Sequence, residues 1–411
     1  MMERSKCMNV PEIRFKEFCD YYNDVLLEKC LSVSNKKNNK LEYKKEDALS
    51  VSDEFGVVNQ IEHLGRSYTG NNISTYKILN KGQIVYTKSP LKLKPFGIIK
   101  VNNNKPGIVS VLYAIYDVKE GFDPNYISVY FEPSFRLNKY LLPLINKGAK
   151  NTINISDETA LSGEVHIPLS HAEQQKIVSY FQSLDSLIQI ISKKLASLKR
   201  IKAASLQSMF PQEGETVPKV RFKGFEGEWE EKSFSALYKK SIIKNDLTFG
   251  TDKIISVANM YYLTNVNVSD LEYLKTYNIM KLGDIAFEGN KSKRFSHGRF
   301  VENTIGDGIV SHVFVVFHPI SAEHDINYWK YAINNENIMR NVLIRCTKSS
   351  TMMTDLVVDD FLKETILVPS YAEQQKIGAY FRNLDQQISL QTQRLEKLKQ
   401  IKAACLDKMF V

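Results

Sequence analysis

The sequence lacks the features of a membrane or secreted protein. Its 411 residues contain no run of about 18 apolar residues, the length that a membrane-spanning helix needs. The first residues, MMERSKCMNVPEIRF, lack the apolar centre of a signal peptide. The five cysteines form no Cys-x-x-Cys pair, which favours free thiols in a reducing compartment. We therefore expect a cytoplasmic location.

The signatures of common catalytic and cofactor sites are also absent. The sequence has no Gly-x-x-x-x-Gly-Lys-Ser/Thr phosphate loop, no Gly-x-Gly-x-x-Gly fingerprint and no Gly-x-Ser-x-Gly elbow. It has no Asn/Asp-Pro-Pro-aromatic tetrapeptide of the amino-methyltransferase kind, and its seven histidines form no His-Glu-x-x-His or Cys/His cluster. We expect no catalytic residue, no cofactor-binding residue and no metal ligand in this chain.

The sequence contains instead a long internal repeat. Residues 172–210 begin with AEQQKI and return at 372–410, with about half of the positions identical and no gap. The segment VPEIRFKEF at 10–18 likewise returns as VPKVRFKGF at 217–225. The chain is therefore an internal duplication, in which each copy runs from a short lead-in segment to a long helix.

Each of the two long segments carries the start signal of a helix. The patterns Ser170-x-x-Glu173 and Ser370-x-x-Glu373 are capping boxes, in which the serine oxygen and the glutamate side chain bind free backbone N–H groups. About 38 helical residues form a rod of roughly 57 Å.

Apolar residues recur in these helices at steps of four and three, which predicts a coiled-coil seam. The predicted seam consists of Ile177, Phe181, Leu184, Ile188, Ile191, Leu195 and Leu198 in the first copy, and Ile377, Phe381, Leu384, Ile388, Leu395 and Leu398 in the second, with Gln391 as a polar break. A single helix of this length leaves its seam exposed, so we expect the two copies to form an intramolecular coiled coil. The alternative is that each helix lies on its own domain.

A variable module precedes each helix. Short apolar runs at 83–86, 96–99 and 107–114 predict strands, and 126–130 and 139–146 predict short helices. The predicted fold class is α+β, with two α/β modules and a pseudo-two-fold repeat. The predicted boundaries are 1–24 for the tail and first lead-in, 25–168 for module 1, 169–210 for helix 1, 211–231 for the linker and second lead-in, 232–369 for module 2, and 370–411 for helix 2.

The formal charge of +9 suits a polyanionic partner, although it also fits an ordinary basic protein. Basic and amide side chains concentrate in polar loops beside the strands, where they can contact phosphates or base edges. The candidate DNA-binding residues are Asn71, Asn72, Lys88, Lys92, Lys94, Lys147, Lys150, Asn290, Lys291, Lys293, Arg294, Arg299 and Lys348. For each residue taken alone, a solvated loop is an equally good interpretation.

The order of these parts resembles the DNA specificity (S) subunit of type I restriction–modification systems. The resemblance rests on the doubled Pro-x-Ile/Val-Arg-Phe lead-in, the Gly-Gln/Asp-Ile strand, and the doubled Ala-Glu-Gln-Gln-Lys-Ile helix, and covers nearly the whole chain. It implies two target recognition domains, each reading half of a bipartite, asymmetric double-stranded DNA site, with the helices packed antiparallel as a spacer. It also implies a non-catalytic subunit.

The same resemblance implies particular partners. Two methyltransferase subunits dock on such a chain to form an adenine methylase, and motor-nuclease subunits complete the restriction complex. S-adenosylmethionine, ATP and Mg²⁺ are then expected on those partners. Two other functions stay open at this point: a coiled-coil scaffold whose modules bind protein, and a DNA-modifying enzyme with unfamiliar motifs.

Overall fold

The computed structural model describes residues 10–91, 93–145, 153–266, 270–349 and 353–411. Contacts divide the chain into two units, Met1–Ile191 with Arg394–Val411, and Ser192–Gln393. Each unit therefore holds one variable module and a part of both long helices. The sequence predicts each long helix as a segment of its own. In the structure, contacts assign the two parts of each helix to different units.

Within the described residues, the first unit contains ten short strands, four short α-helices and a part of each long helix. The strands are β1 (Asn23–Leu26), β2 (Leu31–Val33), β3 (Leu49–Ser52), β4 (Gly56–Asn59), β5 (Lys77–Leu79), β6 (Ile84–Tyr86), β7 (Ile99–Val101), β8 (Gly107–Val109), β9 (Ala114–Val118) and β10 (Glu164–Ile167). The helices are α1 (Leu27–Cys30), α2 (Gln60–Leu64), α3 (Pro124–Tyr130), α4 (Ser134–Leu141) and the first part of α5 (His171–Ser208). Strands β2, β9, β6 and β7 form an antiparallel sheet in that order, and β1–β10, β3–β4 and β5–β8 form separate pairs.

The second unit repeats this arrangement with additions near its end. Its strands are β11 (Glu230–Ser233), β12 (Tyr238–Lys240), β13 (Ile255–Ser256), β14 (Tyr261–Tyr262), β15 (Asn278–Met280), β16 (Ile285–Glu288), β17 (Arg299–Glu302), β18 (Gly308–Val310), β19 (Val315–Pro319), β20 (Thr347–Ser349), β21 (Thr354–Leu356) and β22 (Thr365–Val368). Its helices are α6 (Phe234–Leu237), α7 (Ile326–Ala332), α8 (Glu336–Cys346), α9 (Val358–Lys363) and most of α10 (Tyr371–Lys408). The sheet order β12-β19-β16-β17 matches that of the first unit strand for strand.

The predicted local elements are partly displaced. The run 107–114 is not one strand, since a turn separates β8 from β9, and the second predicted short helix is α4, which lies a few residues earlier. Helix α3 is where the sequence places it, because Asp123 caps it and Pro124 occupies its first turn, where no N–H is needed.

A buried ion pair ties each lead-in segment to the start of a long helix. In the first unit the guanidinium of Arg14 donates to both carboxylate oxygens of Glu173, at 2.7 and 2.8 Å. Glu173 is 1% exposed, and Tyr22 donates a further hydrogen bond to it at 3.3 Å. The hydrogen bonds that Arg14 donates to Glu173 raise the pKa of Arg14. The repeated Arg-Phe of the lead-in and the repeated Ala-Glu of the helix are therefore two sides of one contact.

The second unit repeats this contact. Arg221 donates to both carboxylate oxygens of Glu373, each at 2.7 Å, and Glu373 is also 1% exposed. The assignment of the two glutamate side chains to capping boxes is therefore wrong, because both carboxylates are held by arginine. Ser170 does cap its helix, since its Oγ accepts from the N–H of Glu173 at 3.3 Å. Ser370 contributes its backbone oxygen, which accepts from the N–H of Glu373 at 2.9 Å.

Helices α5 and α10 pack antiparallel, and cross-helix contacts of the same kind appear within each unit. In the first unit Lys402 donates to Asp185 at 2.6 Å, and the Tyr180 hydroxyl lies 3.4 Å from Cys405 Sγ. Both contacts join the N-terminal part of α5 to the C-terminal part of α10, which fixes the register there.

The second unit exchanges the roles of the two helices. Lys202 donates to Asp385 at 2.5 Å, and the hydroxyls of Ser205 and Tyr380 are 2.9 Å apart. Burial alone would raise the pKa of Asp385, but hydrogen bonds from Lys202 and Tyr331 hold it below its usual value. The repeated Leu-Asp and Ile-Lys pairs are therefore complementary, each binding its partner on the other helix.

The predicted seam faces inward along both helices. The buried members are Ile177, Phe181, Leu184, Leu195, Leu198, Ile377, Phe381, Leu384 and Leu395, and the half-buried ones are Ile188, Ile191, Ile388 and Leu398. Gln391, the predicted polar break, is 5% exposed and takes a seam position. The intramolecular coiled coil is confirmed, and no described helix is long and apolar enough to cross a membrane.

The end of each helix completes a module core. In the first unit Phe410 packs on Phe181, Tyr126 and Tyr130, with ring centroids 5.6 to 6.0 Å apart. In the second unit Phe210 packs on Phe381, Tyr328 and Trp229 at 5.8 to 6.2 Å. Each module therefore buries an aromatic side chain from the end of the helix that the other copy of the repeat supplies.

The N-terminal lead-in packs against the C-terminal end of α10. The N–H of Ile13 donates to the Lys408 oxygen at 3.0 Å, and Lys408 forms an ion pair with Glu12 at 2.7 Å. At the end of α5 the equivalent backbone bond runs from Val220 to Ser208 at 2.9 Å. Each lead-in segment therefore contacts the end of a long helix through the same kind of backbone hydrogen bond.

The arginine–glutamate pairs provide a test of this account. We expect Arg14→Ala to lower the free energy of unfolding by about 3 kcal/mol, because it leaves a buried carboxylate with one neutral donor. Arg221→Ala, the matched change in the second unit, should have a similar effect. The measurement is urea denaturation followed by circular dichroism. Lys176→Ala removes an exposed ion pair with Glu17 and should change nothing measurable; equal losses in all three variants would contradict the assignment.

Candidate nucleic-acid interface

Many of the predicted DNA-binding residues lie in or beside two equivalent loops. Residues 87–98 join β6 to β7 in the first module, and residues 289–298 join β16 to β17 in the second. These strand pairs have the same antiparallel pairing and the same place in their sheets. The fold therefore presents two loops of unlike sequence from matching positions.

In the first loop, Lys88 is bound inside the protein. Its Nζ lies 2.5 Å from Asp157 Oδ1, and Lys77 binds the other oxygen of the same carboxylate at 2.8 Å. Burial would raise the pKa of Asp157, but the two lysines hold it below its usual value. Lys88 is 19% exposed and has a backbone φ of 51°, so the loop is bent to bring it inward.

Lys94 is engaged in the same way. Its Nζ donates to Asp53 at 2.7 Å and to the backbone oxygen of Glu132 at 2.7 Å. Its side chain is 15% exposed. Both lysines are therefore paired with carboxylates distant in sequence, which makes them weaker candidates for DNA contacts than the sequence indicates; their assignment to DNA binding stays a prediction.

The amide candidates of the first module are exposed. Asn71 Oδ1 accepts from Lys45 at 3.3 Å, which leaves its NH₂ group to solvent. Asn72 Oδ1 accepts from the N–H and hydroxyl of Ser74, at 3.0 and 2.6 Å. Beside them Arg66 stacks on the ring of Tyr68 at 4.6 Å. The exposed Tyr68 next to Arg66 in an Asn-rich loop is a candidate nucleic-acid contact that the sequence analysis did not identify.

In the second loop two glycines hold the ends in place. A Cβ on Gly289 would lie 2.2 Å from the Thr354 oxygen, and the N–H of Thr354 donates to the Gly289 oxygen at 2.8 Å. Gly298 has a φ of 76°, which favours glycine. The exposed Asn290 pairs through its backbone with Met353. The loop is thus attached to the segment that begins β21.

Arg299 at the end of this loop faces inward. It donates to Glu288 at 2.6 Å and to the backbone oxygen of Ala258 at 2.9 Å. Glu288 and Arg299 are register partners on β16 and β17, so a hairpin alignment would have predicted their contact. Like Lys88 and Lys94, Arg299 is paired inside the protein, and its assignment to DNA binding stays a prediction.

Four basic candidates of the second module are exposed. Lys291, Lys293 and Arg294 lie in the loop, and Lys348 lies on β20. In the part of the chain that the structure describes, Lys293 and Arg294 have no hydrogen-bond or ion-pair partner. They are therefore available to phosphates and base edges. Lys92, Lys147 and Lys150 lie outside the described residues, and their assignment stays a prediction.

Groups with strongly changed pKa values lie in the core, not in these loops. Glu302 is 1% exposed, and burial raises its pKa well above the usual range. Its Oε1 lies 2.7 Å from His324 Nε2, and burial lowers the pKa of His324 to about 4. No group of three or more His, Cys, Asp or Glu side chains among the described residues is arranged to hold a metal ion.

Comparison with known proteins gives a consistent result. Residues 227–400 match the family model described as the type I restriction modification DNA specificity domain. The structure is similar to that of the type I restriction–modification S subunit from M. genitalium, with a TM-score of 0.59, 11% identity, and coverage of 98% of this chain and 99% of that one. The HsdS subunit from Thermoanaerobacter tengcongensis aligns with a TM-score of 0.46 and 14% identity, over 95% of this chain and 96% of that one. No match to a curated protein sequence was found.

The distinction between paired and unpaired lysines can be tested. Lys293→Ala should reduce the slope of log binding constant against log salt for duplex DNA by about 1, because one phosphate contact is lost, and should leave stability unchanged. Lys88→Met should leave the salt slope unchanged and lower the free energy of unfolding by about 1–2 kcal/mol, because Asp157 loses one charged donor. Salt titrations of DNA binding and urea denaturation measure the two effects. A reduced salt slope for Lys88→Met and an unchanged slope for Lys293→Ala would show that Lys88, and not Lys293, contacts DNA.

Proposed function

We propose that this chain is a DNA specificity subunit of a type I restriction–modification system and that it recognises a bipartite, asymmetric site in double-stranded DNA. The observation that carries the proposal is the duplicated module: one fold occurs twice, with different loops at matching positions. The specificity-domain match covers the second copy, and the internal repeat extends the argument to the first.

The difference between the two loops suits two different half-sites. In the first module Lys88 and Lys94 are paired inside the protein, whereas Asn71 and Asn72 are exposed; the second module has exposed Lys293 and Arg294. Amides suit adenine and arginine suits guanine in the major groove. An asymmetric DNA site is the expected result of one fold with two such surfaces.

The long helices have a mechanical role in this proposal. Each one runs through both units, with its start in one module and its end in the core of the other. Since the helix pair joins the two reading modules, we expect its length to set the number of base pairs between the half-sites.

The chemistry is then performed by partners. The chain works with other subunits of the restriction–modification system. We propose two methyltransferase subunits, which this chain positions over adenines, and motor-nuclease subunits that cut unmodified DNA. S-adenosylmethionine, ATP and Mg²⁺ would be bound by these partners in the cytoplasm, and this chain would contribute recognition alone.

The proposal is tested by selection of DNA from a random duplex library with the complete complex. We expect one bipartite sequence with a fixed gap to be enriched, and binding to weaken as salt rises. Methylome sequencing of cells that express the complex should show methylated adenines in the same sequence. Binding without sequence preference would favour a protein scaffold, and methyl transfer by the purified chain alone would favour an enzyme; either result would overturn the proposal.

The spacer role has its own test. One heptad inserted at the boundary between the units, after Ile191 in α5 and before Arg394 in α10, keeps the seam in phase. It adds about 10 Å to each helix, so the preferred gap should grow by roughly three base pairs with both half-sites unchanged. An insertion in α5 alone is the control, and it should disturb folding because the seams no longer match. Altered half-site sequences would show that the helices do not set the gap.

A further inference from the structure

The tip of the second loop is a tight turn with two basic residues in its centre. The N–H of Ser292 donates to the Phe295 oxygen at 3.0 Å, and the N–H of Phe295 donates back to Ser292 Oγ at 3.0 Å. These reciprocal bonds place Lys293 and Arg294 between the two closing residues. Phe295 is 8% exposed, so the turn is anchored by a side chain that faces the protein.

Phe295 lies close to two guanidinium groups. Arg299 Cζ is 4.9 Å from the ring centroid, and Arg294 Cζ is 5.0 Å from it. Arg299 forms an ion pair with Glu288, so the guanidinium that packs against the Phe295 ring is itself fixed in position. Stacking of this kind restrains the side chain of Arg294 before any ligand is present.

The hydrogen-bonding edge of Arg294 is nevertheless unused among the described residues. Arg294 acts on the carboxylate of Glu336: burial raises the pKa of Glu336, although Arg340, His297 and Arg294 act to lower it. Arg294 makes no ion pair within 4.0 Å with that carboxylate. The guanidinium of Arg294 is therefore restrained by Phe295 and exposed to solvent, and among the described residues no carboxylate forms an ion pair with it.

The surface beside Arg294 favours a base edge as the ligand. Arg294 lines a cavity of about 840 Å³, together with Asn259 and Asn337. Both asparagines are exposed. Amide and guanidinium groups on one surface can bond to the oxygen and nitrogen atoms that base pairs present in the major groove.

We infer that Arg294 is the side chain with which the second module reads a guanine in its half-site. The inference rests on the proposed function and selects one residue from the set of basic candidates. The planar guanidinium can donate two parallel hydrogen bonds to guanine O6 and N7. A phosphate contact needs no such restraint, and the neighbouring Lys293 can make one.

The equivalent loop of the first module cannot read guanine in this way. Residues 87–98 contain no arginine, and Lys88 and Lys94 in it are bound to carboxylates. Arg294 therefore has no arginine counterpart in the matching loop, and changes at Arg294 should affect only the half-site that the second module reads.

The experiment compares Arg294→Lys, Arg294→Ala and Lys293→Ala with the unchanged chain in the complete complex. Binding to the selected sequence and to each single-base variant is measured at one salt concentration. For both Arg294 variants, preference for guanine at one position of one half-site should fall roughly 5- to 150-fold. Arg294→Lys keeps the charge but loses the planar pair of donors, so it should lose the preference and retain affinity for non-specific DNA.

Two controls separate this role from others. Lys293→Ala should weaken binding equally for all sequences. Glu336→Gln should leave guanine preference intact, whereas a purely structural role through that carboxylate would make it resemble Arg294→Ala. Equal thermal stability of the Lys293 and Arg294 variants shows that the fold is intact, which is expected because both side chains are exposed.

The outcomes distinguish a failure of the inference about Arg294 from a failure of the proposed DNA-recognition function. If the unchanged complex selects a bipartite site and Arg294→Ala retains every base of it, Arg294 does not read a base and the inference fails alone. Uniform weakening by Arg294→Ala at all sequences would make it a phosphate contact and would also overturn the inference. If the unchanged complex selects no sequence, the proposed function itself fails.

Discussion

The structure depends on the exchange of helix ends between two cores. Phe410, from the second copy of the repeat, fills the core of the first module, and Phe210 fills the core of the second. An aromatic ring of this size contributes a large part of the apolar area that a small core buries. Neither module is therefore complete within its own half of the sequence, and the antiparallel pairing of α5 with α10 follows from the same constraint.

The ion pairs that surround these cores explain why the repeated motifs are charged as well as apolar. Arg14 and Glu173 close the first unit, and Lys402 binds Asp185 across the two helices. Buried or half-buried pairs of this kind add less to stability than apolar packing, but they penalise any other register, since a shift leaves a carboxylate unpaired in the protein. The repeat therefore preserves pairing as well as shape, while the loops remain free to differ.

In the loops, a basic residue type does not by itself indicate a contact with DNA. Lys88, Lys94 and Arg299 have the same residue types as Lys293 and Arg294, yet their charges are neutralised inside the protein. A basic loop is consequently a poor guide to a DNA contact until its carboxylate partners are known. Those partners lie on other elements, so composition and local pattern do not contain them; Glu288 is the exception, because a hairpin register brings it opposite Arg299.

The sequence by itself determined the duplication, the two long helices and their apolar seam, and it favoured their pairing, because a seven-residue apolar period and a repeated motif are local signals. It also indicated the family. The tertiary structure decided which halves of the helices share a unit, what Glu173 and Glu373 bind, and which loop cations are unpaired. The physical reason is that these outcomes depend on contacts between residues more than 150 positions apart or on different loops, where burial and charge pairing, not local propensity, determine the geometry.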